Sequence, residues 1–186
     1  MPFRTAVVGL LLFVSLNSVA SAELTSEIKI SGQTLKLNGA GKRSKTFVQI
    51  YESGLYLAKP SRDAKAIVES DQLMAIRVRI TSGFVSRDSL VTSLRDSLKT
   101  STGGKLDSIA RETAMFEKTL QEEVKKNDVF DFIQVPQKGL YVLKNGQVKG
   151  TIPGINFKRA LYGIWLSDKP VDKGLRQAML QGGTNR

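Results

Sequence analysis

The chain has 186 residues and a formal net charge of +11 at pH 7, and it contains neither cysteine nor histidine. These two absences exclude Ser-His-Asp and Cys-His catalysis, disulfide frameworks, and zinc sites built from thiolate or imidazole ligands. No Asp-rich loop has the glycine spacing of a calcium site, so we expect neither a metal nor a cofactor.

The first 22 residues have the features of a signal peptide. Arg4 supplies a positive charge, an apolar run follows over residues 6–16, and Ala20-Ser21-Ala22 is a small-x-small cleavage pattern. The run is too short to be a membrane anchor, because a spanning helix needs roughly 20 apolar residues. We therefore predict a cleaved segment over residues 1–22 and export to the periplasm or secretion.

The remainder, residues 23–186, has a length that suits one domain with a substantial core. No later segment approaches transmembrane length, and no internal repeat or linker interrupts it. The basic residues are scattered, without the aromatic ladder that stacks nucleic-acid bases. We therefore expect a solvated basic surface and no nucleic-acid partner.

Alternation and turn residues predict four strands before the first clear helix. Residues 27–30 and 34–38 alternate around Ser31-Gly32, which indicates a β-hairpin. Residues 46–57 form another strand with a bend at Ser53-Gly54. Residues 73–80 then alternate apolar and basic side chains, as a strand with one buried face does.

Two helices follow, and then a second group of strands. Ser86 is a suitable N-cap for a helix that runs to about residue 99. The stripe of residues 109, 113, 116, 120 and 124 predicts a long amphipathic helix. Strands are predicted at residues 128–135, 139–143 and 147–152, with Asn145-Gly146 as a hairpin turn, followed by helices at 156–166 and 171–180. This order predicts an α+β fold whose sheet is covered by helices on one face.

From Asn38 the sequence reads NGAGKRSKTFVQIYESGLYLA. This Gly-x-Gly-x-Arg turn, followed by a strand ending in Gly-Leu-Tyr-Leu, resembles the chalcone isomerase-like family, and more its bacterial exported branch than the plant enzymes. The paired helices, the strand DVFDFIQV and the Asn-Gly hairpin fit the same family in order and spacing. The resemblance implies an open-faced β-sandwich: a large antiparallel sheet with helices packed on one face and a ligand cleft between them.

The resemblance also suggests site residues. The family arginine falls on Arg43; it holds a phenoxide in the isomerases and pairs with a carboxylate in the fatty-acid binders. A guanidinium suits both tasks because it stays charged and offers a fork of donors. At the position of Tyr51 the enzymes have Thr, whereas the fatty-acid binders have Tyr. The alternatives are that Arg43 is an ordinary surface residue and that Tyr51 is a core residue.

Three weaker aligned positions depart from the enzymes. Ser89 stands near their active-site Tyr, Asp96 near their Asn, and Lys158 near their Ser or Thr. Arg43 is thus the one match to the catalytic set.

We therefore predict a non-catalytic binder of a fatty acid or similar amphipathic carboxylate. Two alternatives remain open. One is an isomerase, an intramolecular lyase acting on a phenolic or unsaturated carbonyl substrate. The other is a structural or accessory envelope protein.

Overall fold

The fold is known from a computed structural model, which describes residues 24–183. Seven strands form one curled antiparallel sheet in which each strand pairs with its neighbours in sequence. The strands are β1 (Glu27–Ile30), β2 (Gln33–Lys45), β3 (Val48–Leu57), β4 (Met74–Ile80), β5 (Val129–Val135), β6 (Gly139–Lys144) and β7 (Gln147–Ile152). The helices are α1 (Ala64–Glu69), α2 (Arg87–Ser101), α3 (Ala110–Lys118), α4 (Ile155–Leu166) and α5 (Lys173–Met179), with one 3-10 turn (Leu106–Ile109) before α3.

The predicted α+β class is confirmed. The main core lies between one face of the sheet and the helices. A smaller apolar cluster occupies part of the opposite face, around Tyr56 and Ile133. Within residues 24–183, no helix has the length and apolar character that crossing a membrane would require.

Both predicted hairpin turns are confirmed. Ser31 and Gly32 have φ angles of 49° and 80°, and Asn145 and Gly146 have 52° and 78°. Two consecutive residues with positive φ match the right-handed twist of the flanking strands, and Gly or Asn is favoured there.

The predicted turn after Asn38 is wrong, because β2 continues through it to Lys45. Gly39 and Gly41 lie within the strand, where α5 packs directly on the backbone. A Cβ atom at Gly39 would overlap the carbonyl oxygen of Ala178. The glycines are therefore required for the close approach of a helix, not for a change of chain direction.

Asn38 itself fastens α5 to the sheet. Its side-chain amide donates to the carbonyl oxygens of Ser61 and Met179, each at 2.8 Å. Its Oδ1 accepts from the Ser61 backbone N–H, and its own carbonyl accepts from the backbone N–H of Gly183. One buried side chain thus joins β2, the connection before α1 and the end of α5.

The regular alternation expected over residues 46–51 is also interrupted. The register of β2 and β3 shifts between Arg43 and Ser44, so that Arg43 pairs with Tyr51 while Ser44 pairs with Gln49. Ile50 is the extra residue of this β-bulge. As a result Tyr51 joins the main core, and Ile50 also packs against it.

Two helical predictions need correction. The long amphipathic helix ends at Lys118, where the Thr119 hydroxyl donates to the Phe116 carbonyl and competes with helical hydrogen bonding. Leu120 and Val124 are still buried, so their spacing reflects burial in an irregular segment. Helix α1 was not predicted, although Asp63 caps it by accepting from the backbone N–H of Ala66.

Candidate functional site

A cavity lies between the helical face of the sheet and helices α2 and α4. It has a volume of about 40 Å³, and its walls are mostly apolar. The side chains that line it are Arg43, Tyr51, Val78, Leu90, Ser93, Leu94, Ser97, Phe130, Phe132, Ile164, Trp165 and Val171.

Arg43 and Tyr51 meet at this cavity as direct cross-strand partners. The guanidinium carbon of Arg43 lies 5.9 Å from the centre of the Tyr51 ring, within range for a cation–π contact. Tyr51 is buried, whereas Arg43 is partly exposed. The β-bulge at Ile50 produces this arrangement, because it sets the register that places Tyr51 opposite Arg43 and turns its ring into the core.

Trp165 orients the Tyr51 hydroxyl. The indole Nε1–H donates to the hydroxyl oxygen at 3.0 Å, and this bond leaves the Tyr51 O–H proton free to be donated to another acceptor. Burial raises the pKa of the Tyr51 hydroxyl, although the charge of Arg43 and the bond from Trp165 act in the opposite direction. Tyr51 is therefore neutral at physiological pH and keeps a proton that it can donate to a ligand.

Within the described part of the chain, the Arg43 guanidinium has no carboxylate partner. Among the ion pairs within residues 24–183, none includes Arg43. A partly buried guanidinium beside a neutral phenol, in the wall of an apolar cavity, can donate hydrogen bonds to an anionic oxygen of a ligand.

A family model described as chalcone isomerase-like matches residues 16–181. The chain belongs to the chalcone isomerase-like family. No curated protein matches it by sequence. Among solved structures, a fatty-acid binding protein of Arabidopsis thaliana is similar, with a TM-score of 0.65 and 20% sequence identity over 86% of this chain and 92% of that one. At this identity the likeness shows the shared fold.

The other three positions suggested by the family resemblance do not reach the cavity. Ser89 is exposed and belongs to the N-terminal cap of α2, where its hydroxyl accepts from the backbone N–H of Ser86. Asp96 is exposed on the same helix and borders an adjoining surface groove, which shares Ser97, Ile164 and Val171 with the cavity. Lys158 is buried beneath α1. The structure thus brings together only Arg43 and Tyr51 of the five residues.

Lys158 has a different structural role. Its side chain has no exposed surface, and its ammonium donates to the carbonyl oxygens of Ile67, Val68 and Ser70 at 2.6, 2.8 and 2.8 Å. These carbonyls belong to the C-terminal end of α1, where the helix dipole favours a cation. Burial lowers the Lys158 pKa to about 8. The lysine therefore caps a helix and joins α1 to α4.

Several cavity residues were not predicted as site residues. Leu90 and Leu94 lie four residues apart on α2, and Ser93 and Ser97 on the same face supply polar atoms to the wall. Trp165 was interpreted as packing between helix and sheet. It does pack on Phe132, with ring centres 6.0 Å apart, and it also binds Tyr51; periodicity alone cannot show that second contact.

A larger groove, of about 460 Å³, lies beside α1 and α5 and is more polar. Its arginines are occupied by the protein itself: Arg176 donates to the Leu166 carbonyl at 3.1 Å and Arg62 to the Gln181 carbonyl at 3.2 Å. The smaller cavity is the better candidate site, because the Arg43 guanidinium that lines it forms no ion pair within residues 24–183 and its polar neighbour is the Tyr51 hydroxyl of the same cavity.

Proposed function

We propose that the protein binds a fatty acid, or a similar amphipathic carboxylate, without catalysis. The observation that carries the proposal is the pairing of Arg43 and Tyr51 at one end of an apolar cavity. Arg43 supplies a charge and Tyr51 a neutral donor to the carboxylate, while the aromatic and aliphatic walls accept the acyl chain. The fatty-acid binding protein of the same fold supports this choice of ligand class.

An acyl chain requires more room than the cavity offers. Small-molecule pockets typically occupy about 300–1,000 Å³, whereas this cavity measures about 40 Å³. We propose that α2 moves away from the sheet to admit the ligand. The turn that follows the helix suits such a movement, because Gly103 and Gly104, with φ angles of 62° and 89°, are free to adopt other backbone conformations at low cost.

Export is part of the same proposal. The cleavage pattern Ala20-Ser21-Ala22 lies outside the described residues, and Glu23 would be the first residue of the mature protein. N-terminal sequencing of protein recovered from the periplasm or medium checks this expectation. Material that retains Met1 would contradict it.

The only tryptophan of the chain lines the cavity, so its fluorescence reports occupancy. We expect long-chain fatty acid to change the emission of Trp165 in a saturable titration. Arg43→Ala removes a charge-assisted hydrogen bond worth about 1.5–3 kcal/mol and should weaken binding roughly tenfold to a hundredfold. Lys42→Ala is the matched control, because it removes an exposed neighbouring cation that does not line the cavity.

A fatty alcohol of the same chain length tests the role of the carboxylate. It brings no charge for Arg43, so Arg43→Ala should affect its binding far less. Equal losses for acid and alcohol would contradict the carboxylate clamp. Absence of any saturable change with either ligand would contradict the proposed function itself.

A further inference from the structure

Two phenylalanine side chains are almost fully exposed at one end of the sheet. Phe47 lies in the β2–β3 turn with 99% of its surface accessible, and Phe84 lies in the β4–α2 connection with 89% accessible. Single exposed apolar residues are common on soluble proteins. Two large exposed aromatic rings on adjacent connections are less common, and exposed apolar patches of this kind mark interaction sites.

Hydrogen bonds place these two connections side by side. The backbone N–H groups of Thr81 and Ser82 both donate to the Ile50 carbonyl, at 3.0 and 3.3 Å, and the Thr81 hydroxyl donates to the Gln49 carbonyl at 3.2 Å. The Ser82 hydroxyl in turn accepts from the backbone N–H of Phe84. The β4–α2 connection therefore runs along the start of β3, immediately after the turn that carries Phe47.

The segments that carry these rings contain basic side chains and no acidic ones. Lys42 and Lys45 are exposed on the strand that leads to Phe47, and within residues 24–183 neither forms an ion pair. Residues 39–51 and 81–87 contain no acidic side chain. The nearest carboxylates in sequence, Glu52 and Asp88, are paired with arginines.

We infer that this end of the sheet, defined by Lys42, Lys45, Phe47 and Phe84 and called here the phenylalanine end, docks on an anionic lipid membrane. Aromatic side chains insert at the boundary between headgroups and acyl chains, and lysines are attracted to anionic lipid. The strength of such attachment grows with both the apolar area that inserts and the electrostatic attraction to anionic lipid. A protein partner with an apolar pocket would satisfy the rings but would give no reason for unpaired lysines beside them.

The phenylalanine end is also next to the candidate cavity. Phe84 precedes α2, and Leu90 and Ser93 of that helix line the cavity. On the other side Arg43, which lines the cavity, lies between Lys42 and the turn that carries Phe47. Docking would therefore bring the cavity to the bilayer surface. The inference concerns a partner surface and stands whether or not the cavity holds a fatty acid.

Sedimentation with vesicles tests the inference. We expect the wild-type protein to bind vesicles of phosphatidylcholine mixed with phosphatidylglycerol, and to bind vesicles of phosphatidylcholine alone much less. Phe47→Ser with Phe84→Ser should weaken binding at least about tenfold, because each ring buries a large apolar area on insertion. Val148→Ser is the control, since Val148 is also exposed (60%) but lies on the far edge strand β7.

Charge is tested separately. Lys42→Glu with Lys45→Glu should weaken binding to the anionic vesicles about tenfold or more. Lys29→Glu with Lys36→Glu makes the same change in net charge at the opposite end of the sheet and should have little effect. All these side chains are exposed, so circular dichroism should show the same fold in every variant.

Three results would overturn the inference. The first is that the wild type does not bind anionic vesicles. The second is that the control variants lose as much binding as the test variants. The third is that the protein is a dimer that does not bind vesicles and that the phenylalanine substitutions convert to a monomer. The last result would assign the surface to a second copy of the chain. Fatty-acid titration of Phe47→Ser with Phe84→Ser in solution should match the wild type, so failure of docking and failure of the proposed function are distinguishable.

Discussion

Arginine side chains on the two faces of the sheet have different partners. On the face away from the helices, Arg77 binds Asp131 through two hydrogen bonds of 2.7 and 3.1 Å, and Arg79 binds Glu52 at 2.7 Å. On the helical face, Arg43 has an aromatic neighbour and no carboxylate partner within residues 24–183. An arginine whose charge is matched by the protein stabilises the fold, whereas one left unmatched beside a cavity is available to a ligand.

The strongest test of this comparison is the loss of one partner on the paired face. Asp131→Ala leaves the Arg77 guanidinium, whose side chain is only 16% exposed, without its carboxylate. We expect a loss of about 3 kcal/mol in the free energy of unfolding, because an uncompensated buried charge is costly. Arg43→Ala should cost less than about 1 kcal/mol, as substitutions of partly exposed residues usually do.

Urea unfolding of the two variants measures the contrast. Asp131→Asn is the matched control, since it keeps the shape and one hydrogen-bond acceptor and should lose less than Asp131→Ala. Equal losses for Asp131→Ala and Arg43→Ala would mean that both arginines are structural.

Lys158 extends the comparison of buried cations, because it lies on the helical side and donates to carbonyl oxygens instead of carboxylates. Its folded pKa of about 8 lies below the ordinary value of 10.5, so between these values the unfolded chain binds more protons than the folded one. Stability contributed by this group therefore rises with pH across that window. The stability of the wild type relative to Lys158→Met should increase by about 1–2 kcal/mol from pH 7.5 to pH 9.5.

Chemical denaturation of both proteins at several pH values measures this change. The buried tyrosines, whose pKa values are raised, are common to both proteins, so their effects cancel in the difference. A difference that is constant across the window would show that Lys158 is not desolvated in the folded state.

A smaller effect is expected from the hydroxyl of Tyr51. Tyr51→Phe removes a donor worth about 1 kcal/mol and should weaken fatty-acid binding about threefold to tenfold. Tyr56→Phe is the control on the opposite face, where the hydroxyl donates to the Thr25 carbonyl at 2.9 Å. That variant should lose stability without losing affinity; an equal loss of affinity in both would remove Tyr51 from the site.

The smallest effect is expected for chalcone cyclisation. Ser89, Asp96 and Lys158 do not line the cavity, so Arg43 stands there without the remaining enzyme residues. We expect turnover at background, unchanged by Arg43→Ala, when chalcone absorbance is followed. Robust turnover that Arg43→Ala abolishes would establish an isomerase.

Much of the fold follows from local sequence patterns. Alternation over residues 73–80 predicted β4 with its arginines on the face opposite Ile76 and Val78, as observed. The positions of both hairpins were predicted from the turn pairs Ser31-Gly32 and Asn145-Gly146, all four of which adopt positive φ angles. These elements are predictable because burial on one face and turn geometry are decided within a few residues.

Predictions failed where distant segments decide the conformation. The Gly39–Gly41 segment has the composition of a turn, yet it forms part of strand β2, and α5 packs against it. The β-bulge at Ile50 depends on the partner strand and gives no local signal. For the site, the family resemblance selected Arg43 and Tyr51. The hydrogen bond from Trp165 to Tyr51 was not predictable, because it depends on a helix far along the chain. The cavity walls likewise depend on how α2 lies on the sheet.

The packing of α5 on Gly39 and Gly41 also bears on protein synthesis. The second strand is synthesised long before the helix that covers it, since Asn38 and its partner Met179 are 141 residues apart in the chain. Until those residues emerge, the bare glycine backbone of β2 and the buried amide of Asn38 lack their partner. A chain interrupted before Lys173 lacks the partner of this backbone, so β2 reaches its final packing only after α5 has been synthesised.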